Sequence, residues 1–309
     1  MDKRLTEILA YLPDQIRLML CKTFEIVGDS VQEIRLRARL PLIIGTGNGN
    51  FFVLPGGEIS QAVVNAYIVE PEDIQRIFRA VCENSVYAFS DEIRQGFVTI
   101  RGGHRVGISG RAVTNGKTIE AFRDISSLNI RVAREVIGSA NCIIDYILKP
   151  NGVKNTLIVA PPMGGKTTVL RDLSRQISNR GIKTAIADER GELAALFKGV
   201  PQNNVGLETD VLENVPKADA AIMLLRSMSP EVIITDEIST KKDAEAILEC
   251  FGLGVSVVAS THGETADEVL GRSFLKPLLG GMGFGQIIVL KKEGRGLGTD
   301  LFGEVRVIS

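Results

Sequence analysis

An α/β protein in two domains is the fold the sequence predicts, and three observations predict it. The chain has 309 residues, more than a single domain usually holds. In its second half the apolar runs "NTLIVA", "KTAIADE", "EVIITDE" and "VSVVAST" alternate with helical patterns, the rhythm of a parallel sheet. Its first half lacks that rhythm and mixes helical periods with short strands and glycine turns. The texture changes around Gly138, which predicts an N-terminal mixed α+β domain over 1–137 and a mainly parallel α/β domain over 138–309.

The opening "MDKRLTEILAYLPDQIRLML" predicts a short amphipathic helix, and its scattered charges and Pro13 do not fit a secretory signal. In "VQEIRLRARLPLII", Ile34, Leu36 and Ala38 alternate with charged residues, a half-buried strand. "GTGNGN" and "PGG" then mark turns. "PEDIQRIFRAVCEN" places Pro71 and two acids in a first helical turn, with Ile74, Ile77, Phe78 and Val81 on one face. "GFVTIRGGHRVGISGRAVTNG" predicts short strands joined by glycine turns.

Beyond Gly138, "NTLIVA" ends in a continuous apolar run, as a strand covered on both faces does. A glycine-rich loop follows, then a helix with Leu170, Leu173 and Ile177 on one side and Gly181 at its C-cap. The tail "QIIVLKKEGRGLGTDLFGEVRVIS" predicts two strands across a glycine-rich turn.

Composition narrows the function classes. At 44% hydrophobic and 24% charged, the chain is an ordinary globular sequence, and a net charge of −1 gives it no global attraction to nucleic acid or acidic lipid. No apolar run reaches the roughly 18 to 20 residues that span a bilayer. The four cysteines, Cys21, Cys82, Cys142 and Cys250, have no metal-like spacing and predict reduced thiols in a cytosolic protein. Two histidines argue against a metal site built from imidazoles.

The chemistry begins at "APPMGGKTT". A phosphate loop, G-x-x-x-x-G-K-[ST], needs backbone amides aimed inward, a lysine for the β- and γ-phosphates and a hydroxyl for Mg²⁺. Pro161, Pro162, Met163, Gly164, Gly165, Lys166, Thr167 and Thr168 supply such a loop between a predicted strand and helix, with Ala160 in the first glycine's place. A methyl group there is tolerable if the φ of Ala160 is negative. "SPEVIITDEI" adds Asp236 and Glu237 at the C-terminal end of another buried strand, where ligands sit in open α/β sheets. Asp236 suits the Mg²⁺ shell, together with Thr167, and Glu237 suits a base that orients water.

"IADERGE" carries Asp188, Glu189 and Glu192, either a second acidic cluster of the site or acids at a helix N-terminus. His262, in "VVASTHGET", falls just past an apolar strand, a position from which it can sense a γ-phosphate. Residues 94–134 hold seven arginines (Arg94, Arg101, Arg105, Arg111, Arg123, Arg131, Arg134) and Lys117, against Glu120 and Asp124. Three readings stay open for them: arginines lent to a nucleotide, a nucleic-acid patch, or a solvated basic face.

The loop, "DERGE", "RSMSPEVIITDEI" and "STHGET", in that order, resemble the type II/IV secretion and pilus ATPases. With "EIRLRARLPL", "FSDEIRQGFVTIRGGHRVGISGRAV" and "ISSLNIRVAREV", nearly the whole chain is similar to the stage III sporulation protein AA family of endospore-forming bacteria. The resemblance implies an N-terminal domain joined to a RecA-like ATPase domain, in a hexameric ring with ATP and Mg²⁺ between subunits. It implies a cytoplasmic motor or switch in the mother cell, held peripherally at the membrane by the membrane proteins of a sporulation channel complex. Position by position, it puts Lys166 and Thr167 on the phosphate loop, and Asp188, Glu189 and Glu192 on an acidic box. Glu237 falls on the catalytic glutamate, His262 on a histidine box, and Arg105, Arg111 and Arg131 on arginines brought to the nucleotide. The chain departs from the secretion ATPases at Asp236, where they have glycine. It also lacks their second histidine, which precedes the last core strand, and their metal-binding cysteine insertion.

The sequence thus predicts a Mg²⁺-dependent ATPase that powers or gates a channel. The alternatives are a RecA-like nucleic-acid motor, disfavoured by the neutral charge and an aromatic content of 5%, and a nucleotide-dependent scaffold with little hydrolysis. A small-molecule kinase is weaker, since no acceptor pocket can be read.

Overall fold

The computed structural model describes residues 3–116, 118–291 and 302–308. Lys117 and the glycine-rich turn expected near the C-terminus, residues 292–301, lie outside them. The chain divides into two compact units, Met1–Arg134 and Glu135–Ser309.

The first unit opens with α1 (Lys3–Leu9) and α2 (Asp14–Val27), separated at Pro13. There follow β1 (Val31–Arg37), β2 (Ile43–Thr46), β3 (Gly49–Val53), β4 (Ile59–Ser60), α3 (Pro71–Val81), α4 (Ser90–Arg94), β5 (Phe97–Ile100), β6 (His104–Asn115) and β7 (Thr118–Arg131). The strands form an antiparallel sheet in the order β4-β3-β2-β1-β7-β6-β5. Alternation sends Ile34 and Leu36 of β1, Val106 of β6 and Leu128 and Ile130 of β7 into one core. Ile74, Ile77, Phe78 and Val81 of α3 are buried in the same core, as their helical spacing predicts. His104 is fully buried: its Nδ1 accepts from Ala133 N at 3.0 Å and its Nε2 lies 3.1 Å from Arg4 O, so the ring is used in structure.

The second unit contains α5 (Ile144–Ile147), β8 (Leu148–Lys149), β9 (Gly152–Val153), β10 (Thr156–Ala160), α6 (Lys166–Ser178), β11 (Thr184–Asp188), β12 (Leu196–Phe197), β13 (Val200–Pro201) and β14 (Thr209–Glu213). It continues through α7 (Lys217–Met228), β15 (Val232–Glu237), α8 (Lys241–Gly252), β16 (Ser256–His262), α9 (Ala266–Leu270), β17 (Gln286–Leu290) and β18 (Phe302–Val307). Its main sheet runs β14-β11-β15-β16-β10-β17-β18, parallel except for the last pair. Both faces are covered. Leu157, Val159, Ile233 and Val257 pack with α7 and α8 on one side, while Ile158, Ile234 and Val258 pack with Leu170, Leu173 and Ile177 of α6 on the other. Gly181 follows α6 with φ +78°, the left-handed turn expected after a helix end.

Two stretches were not settled by the sequence. β14, "TDVLE", is an edge strand with one neighbour and no continuous apolar run, so periodicity did not reveal it. The acids after β11 begin no helix: residues 189–195 form turns that lead to the β12–β13 hairpin.

Asp172, buried in α6, ties the start of the unit to the helix. Its Oδ2 accepts from Ala140 N and from Gln176 Nε2, both at 2.9 Å, and its Oδ1 pairs with Arg175 at 2.6 Å. Burial pushes this carboxyl up, but the amides of Ala140 and Gly138, with Gln176 and Arg175, hold it below its ordinary value. Its contribution is therefore complete above the unfolded carboxylate range, about pH 4, and lost as pH falls through the depressed folded value. Asp172→Ala should cost about 3 kcal/mol at neutral pH. In urea melts the gap from wild type should close towards pH 2; a constant gap would show that the carboxylate's charge is not what matters.

Candidate active site

The loop between β10 and α6 is built for close backbone approach. Ala160 ends β10 as a strand residue opposite His262, so the missing first glycine needs no special backbone conformation. Met163 takes φ +58° and Gly165 φ +84°, and Gly164 N donates to Pro161 O at 3.0 Å. A Cβ on Gly164 would stand 2.8 Å from Pro161 O and 2.9 Å from the Ala160 Cβ. Gly164→Ala should therefore cost ~1–3 kcal/mol through overpacking, which a thermal melt checks. Gly165 caps α6 without a side chain, and the first amides of a helix have no partner within it. That combination fits a phosphate.

Lys166, the first residue of α6, turns back over the loop, where Nζ donates to Ala160 O at 2.9 Å and to Pro161 O at 3.2 Å. Burial pushes its pKa down, and the charge of Glu237 pushes it up. The structure thus brings Glu237, distant in sequence, within electrostatic reach of the loop lysine. Thr167 and Thr168 follow in the first turn of α6, half-buried. His262 ends β16 beside the start of the loop, and Gly263 N donates to Ala160 O at 3.2 Å.

At Asp236 the β15–β16 register slips, with Thr235 opposite Ala259 and Glu237 already opposite Ser260. Such a bulge re-aims the side chains that follow it. Asp236 is buried, and its Oδ1 stands 3.1 Å from Lys217 Nζ, an ion-pair distance without hydrogen-bond alignment. Burial pushes the pKa of Asp236 up against the pull of Lys217, and neighbouring Asp188 adds to the rise.

The acidic cluster is divided in its use. The carboxylate of Asp188 is fully buried and accepts from Glu192 N at 2.9 Å, Leu193 N at 2.8 Å and Ala194 N at 2.9 Å, so it shapes the turn. Glu189 pairs with Lys217 at 3.2 Å. Glu192 is half-buried, and its main-chain O accepts from Arg171 of α6 at 2.6 Å. Among the described residues, no group of three acids, histidines or cysteines is arranged to hold a metal.

Arg105, Arg111 and Arg131 belong to the other unit and to its separate sheet. Arg105 and Arg131 are directly opposed on β6 and β7, and Arg111 is opposed to Arg123. The Arg105 guanidinium lies over the Phe97 ring, 4.7 Å from its centroid.

Sequence reasoning missed Lys217, Arg171 and Arg272. Arg272 donates to Thr261 Oγ1 at 3.2 Å, and Thr261 donates to Ile238 O at 3.1 Å, which joins the ends of β16 and β15. Lys217 left one signal, a lysine at the first position of a helix, where the dipole disfavours a cation.

Comparison with known proteins fits this geometry. Residues 1–303 match the family described as "Sporulation stage III, protein AA". The chain is 38% identical over 302 residues to the stage III sporulation protein AA of Bacillus subtilis (strain 168), covering 96% of this chain and 93% of that one. The Legionella pneumophila ATPase DotB superposes with TM-score 0.54 at 15% identity, over 89% of this chain and 75% of its own. The pilus retraction motor PilT with bound ADP gives 0.53 at 16%, over 88% and 77%. At such identities the likeness establishes the fold, an N-terminal domain followed by a RecA-like α/β domain, and it bears out the fold class read from the sequence.

Proposed function

The chain belongs to the stage III sporulation protein AA family, and from that membership we propose that it is a Mg²⁺-dependent ATPase which powers or gates a channel complex during endospore formation. The observation that carries this reading is the place of Glu237: it ends β15, only β16 stands between β15 and β10, and the phosphate loop with Lys166 leaves the same end of β10. A carboxylate at that strand end can take the proton of an attacking water.

In this mechanism the amides of Gly164, Gly165 and the first turn of α6 cradle the phosphates, with Lys166 on the β- and γ-phosphates. Thr167, with Asp236 behind it, would hold a Mg²⁺ ion, which would supply charge neutralisation to the phosphates. Glu237 accepts the proton of a water whose oxygen bonds to the γ-phosphorus as the bond to the bridging oxygen breaks. His262 senses whether the γ-phosphate is present, and Glu192 belongs to the acidic turn facing the site. Arg105, Arg111 and Arg131 stabilise the transferring phosphoryl group, as arginines do in related phosphoryl transfers.

The assembly proposed is a homo-oligomeric ring, a hexamer, in the mother-cell cytoplasm. Membrane proteins of the channel complex anchor it peripherally in this reading; among the described residues no helix is long and apolar enough to cross a membrane. DotB is an ATPase and PilT a retraction motor, and both support a motor reading. Nucleic acid is not among the proposed partners.

The test is Mg²⁺-ATP turnover per subunit across a range of protein concentrations, with Lys166→Ala as the background. Turnover that climbs with concentration and vanishes in the variant is expected. Turnover of wild type no higher than that of the variant, despite ATP binding, would replace the motor with a nucleotide-gated scaffold.

A further inference from the structure

Lys217 is 7% exposed and is the first residue of α7. The position is unfavourable for a cation twice over: a helix N-terminus repels positive charge, and burial removes its water. Three oxygens compensate. Nζ donates to Glu237 O at 2.6 Å and stands 3.1 Å from Asp236 Oδ1 and 3.2 Å from Glu189 Oε2. One donor of the ammonium goes to the Glu237 carbonyl, and two carboxylates stand at ion-pair distance from it.

These partners are not spread at random. Asp236 and Glu237 are the two residues at the β15 bulge, and Glu189 begins the acidic turn after β11. The same turn is held from the other side by Arg171 of the phosphate-loop helix, which donates to Glu192 O at 2.6 Å and Leu193 O at 2.9 Å. A lysine needed only to fill space beside Ala221 and Ile247 would be replaced at lower cost by an apolar residue.

We propose that Lys217 is a positioning residue for Glu237. By holding the Glu237 carbonyl and the Asp236 carboxylate together, it fixes the bulge at the end of β15 that carries the Glu237 side chain, and through Glu189 it ties the acidic turn to the same point. The inference rests on the ATPase reading of this site.

The experiment uses the full chain and follows steady-state Mg²⁺-ATP hydrolysis beside the affinity for a fluorescent ATP analogue. For Lys217→Met, kcat should fall roughly 10- to 100-fold, the usual effect of losing a supporting partner, while KM and Kd stay within about threefold. Lys217→Arg keeps the charge and should recover part of kcat. Wild-type kcat in Lys217→Met, or an equal loss of affinity and turnover in both variants, would overturn the proposal. Should Lys217→Met fail to fold in a thermal melt, Glu189→Gln, altered at a side chain 40% exposed, takes its place. A several-fold lower kcat at unchanged Kd is then expected, and an unchanged kcat overturns the coupling. A wild-type chain that binds ATP without hydrolysing it would remove the ATPase reading itself and this inference with it. A failure confined to the Lys217 and Glu189 variants removes the inference alone.

Discussion

Glu237→Gln should bind Mg²⁺-ATP as tightly as wild type while turning it over roughly 10²- to 10⁴-fold more slowly, the loss expected when a general base is removed. Glutamine matches glutamate in size, and the main-chain contact to Lys217 does not involve the side chain, so the strand end keeps its shape. What disappears is a group that can accept the water's proton. A second consequence follows from charge. Burial lowers the pKa of Lys166 and Glu237 raises it, so in the glutamine variant the lysine should lose its proton at lower pH. On the alkaline side, ATP affinity should therefore fall off earlier than in wild type. Single-turnover hydrolysis and nucleotide titrations between neutral and alkaline pH separate the two effects. Full turnover in the variant would show that another group takes the proton.

Lys166→Ala should reduce turnover to background and weaken ATP binding by roughly 10- to 150-fold. A hydrogen bond to a charged group contributes about 1.5–3 kcal/mol, and 1.4 kcal/mol corresponds to a factor of ten in affinity. The fold should be little affected, because Nζ bonds two carbonyls of its own loop, Ala160 O and Pro161 O, and no distant element. Ligand-induced stabilisation gives a clean readout, since binding raises the melting temperature in proportion to ln(1 + [L]/Kd). At an ATP concentration near the wild-type Kd, wild type should shift and Lys166→Ala should move far less. An equal shift in both would mean that the loop does not hold the phosphates.

Much of the fold was legible because its elements repeat simple periods. Ile74, Ile77, Phe78 and Val81 announced α3, and the apolar runs ending at Ala160, Asp188, Glu237 and His262 announced four parallel strands. β14 escaped because an edge strand is covered less completely, so its residues need not all be apolar. The acidic stretch after β11 looked ready to begin a helix, yet Asp188 captures the amides of residues 192–194 with its side chain. A local side-chain bond of that kind offers the backbone an alternative to helix, and composition alone does not decide between them.

The site divides along the same line. Its loop is contiguous, so the order Gly164, Gly165, Lys166, Thr167 and its place between strand and helix were legible without any coordinates. Asp236 and Glu237 were legible as acids at a strand end, but not their partners. Lys217 stands 20 residues before Glu237 and meets it only because α7 precedes β15 and packs beside it. The sequence by itself determined the backbone periods and the place of the loop between strand and helix, both of which depend on neighbours along the chain. Only the tertiary structure decided that a buried lysine joins two acids and a carbonyl from separate strand ends, because desolvation and ion pairing depend on what surrounds a group in space.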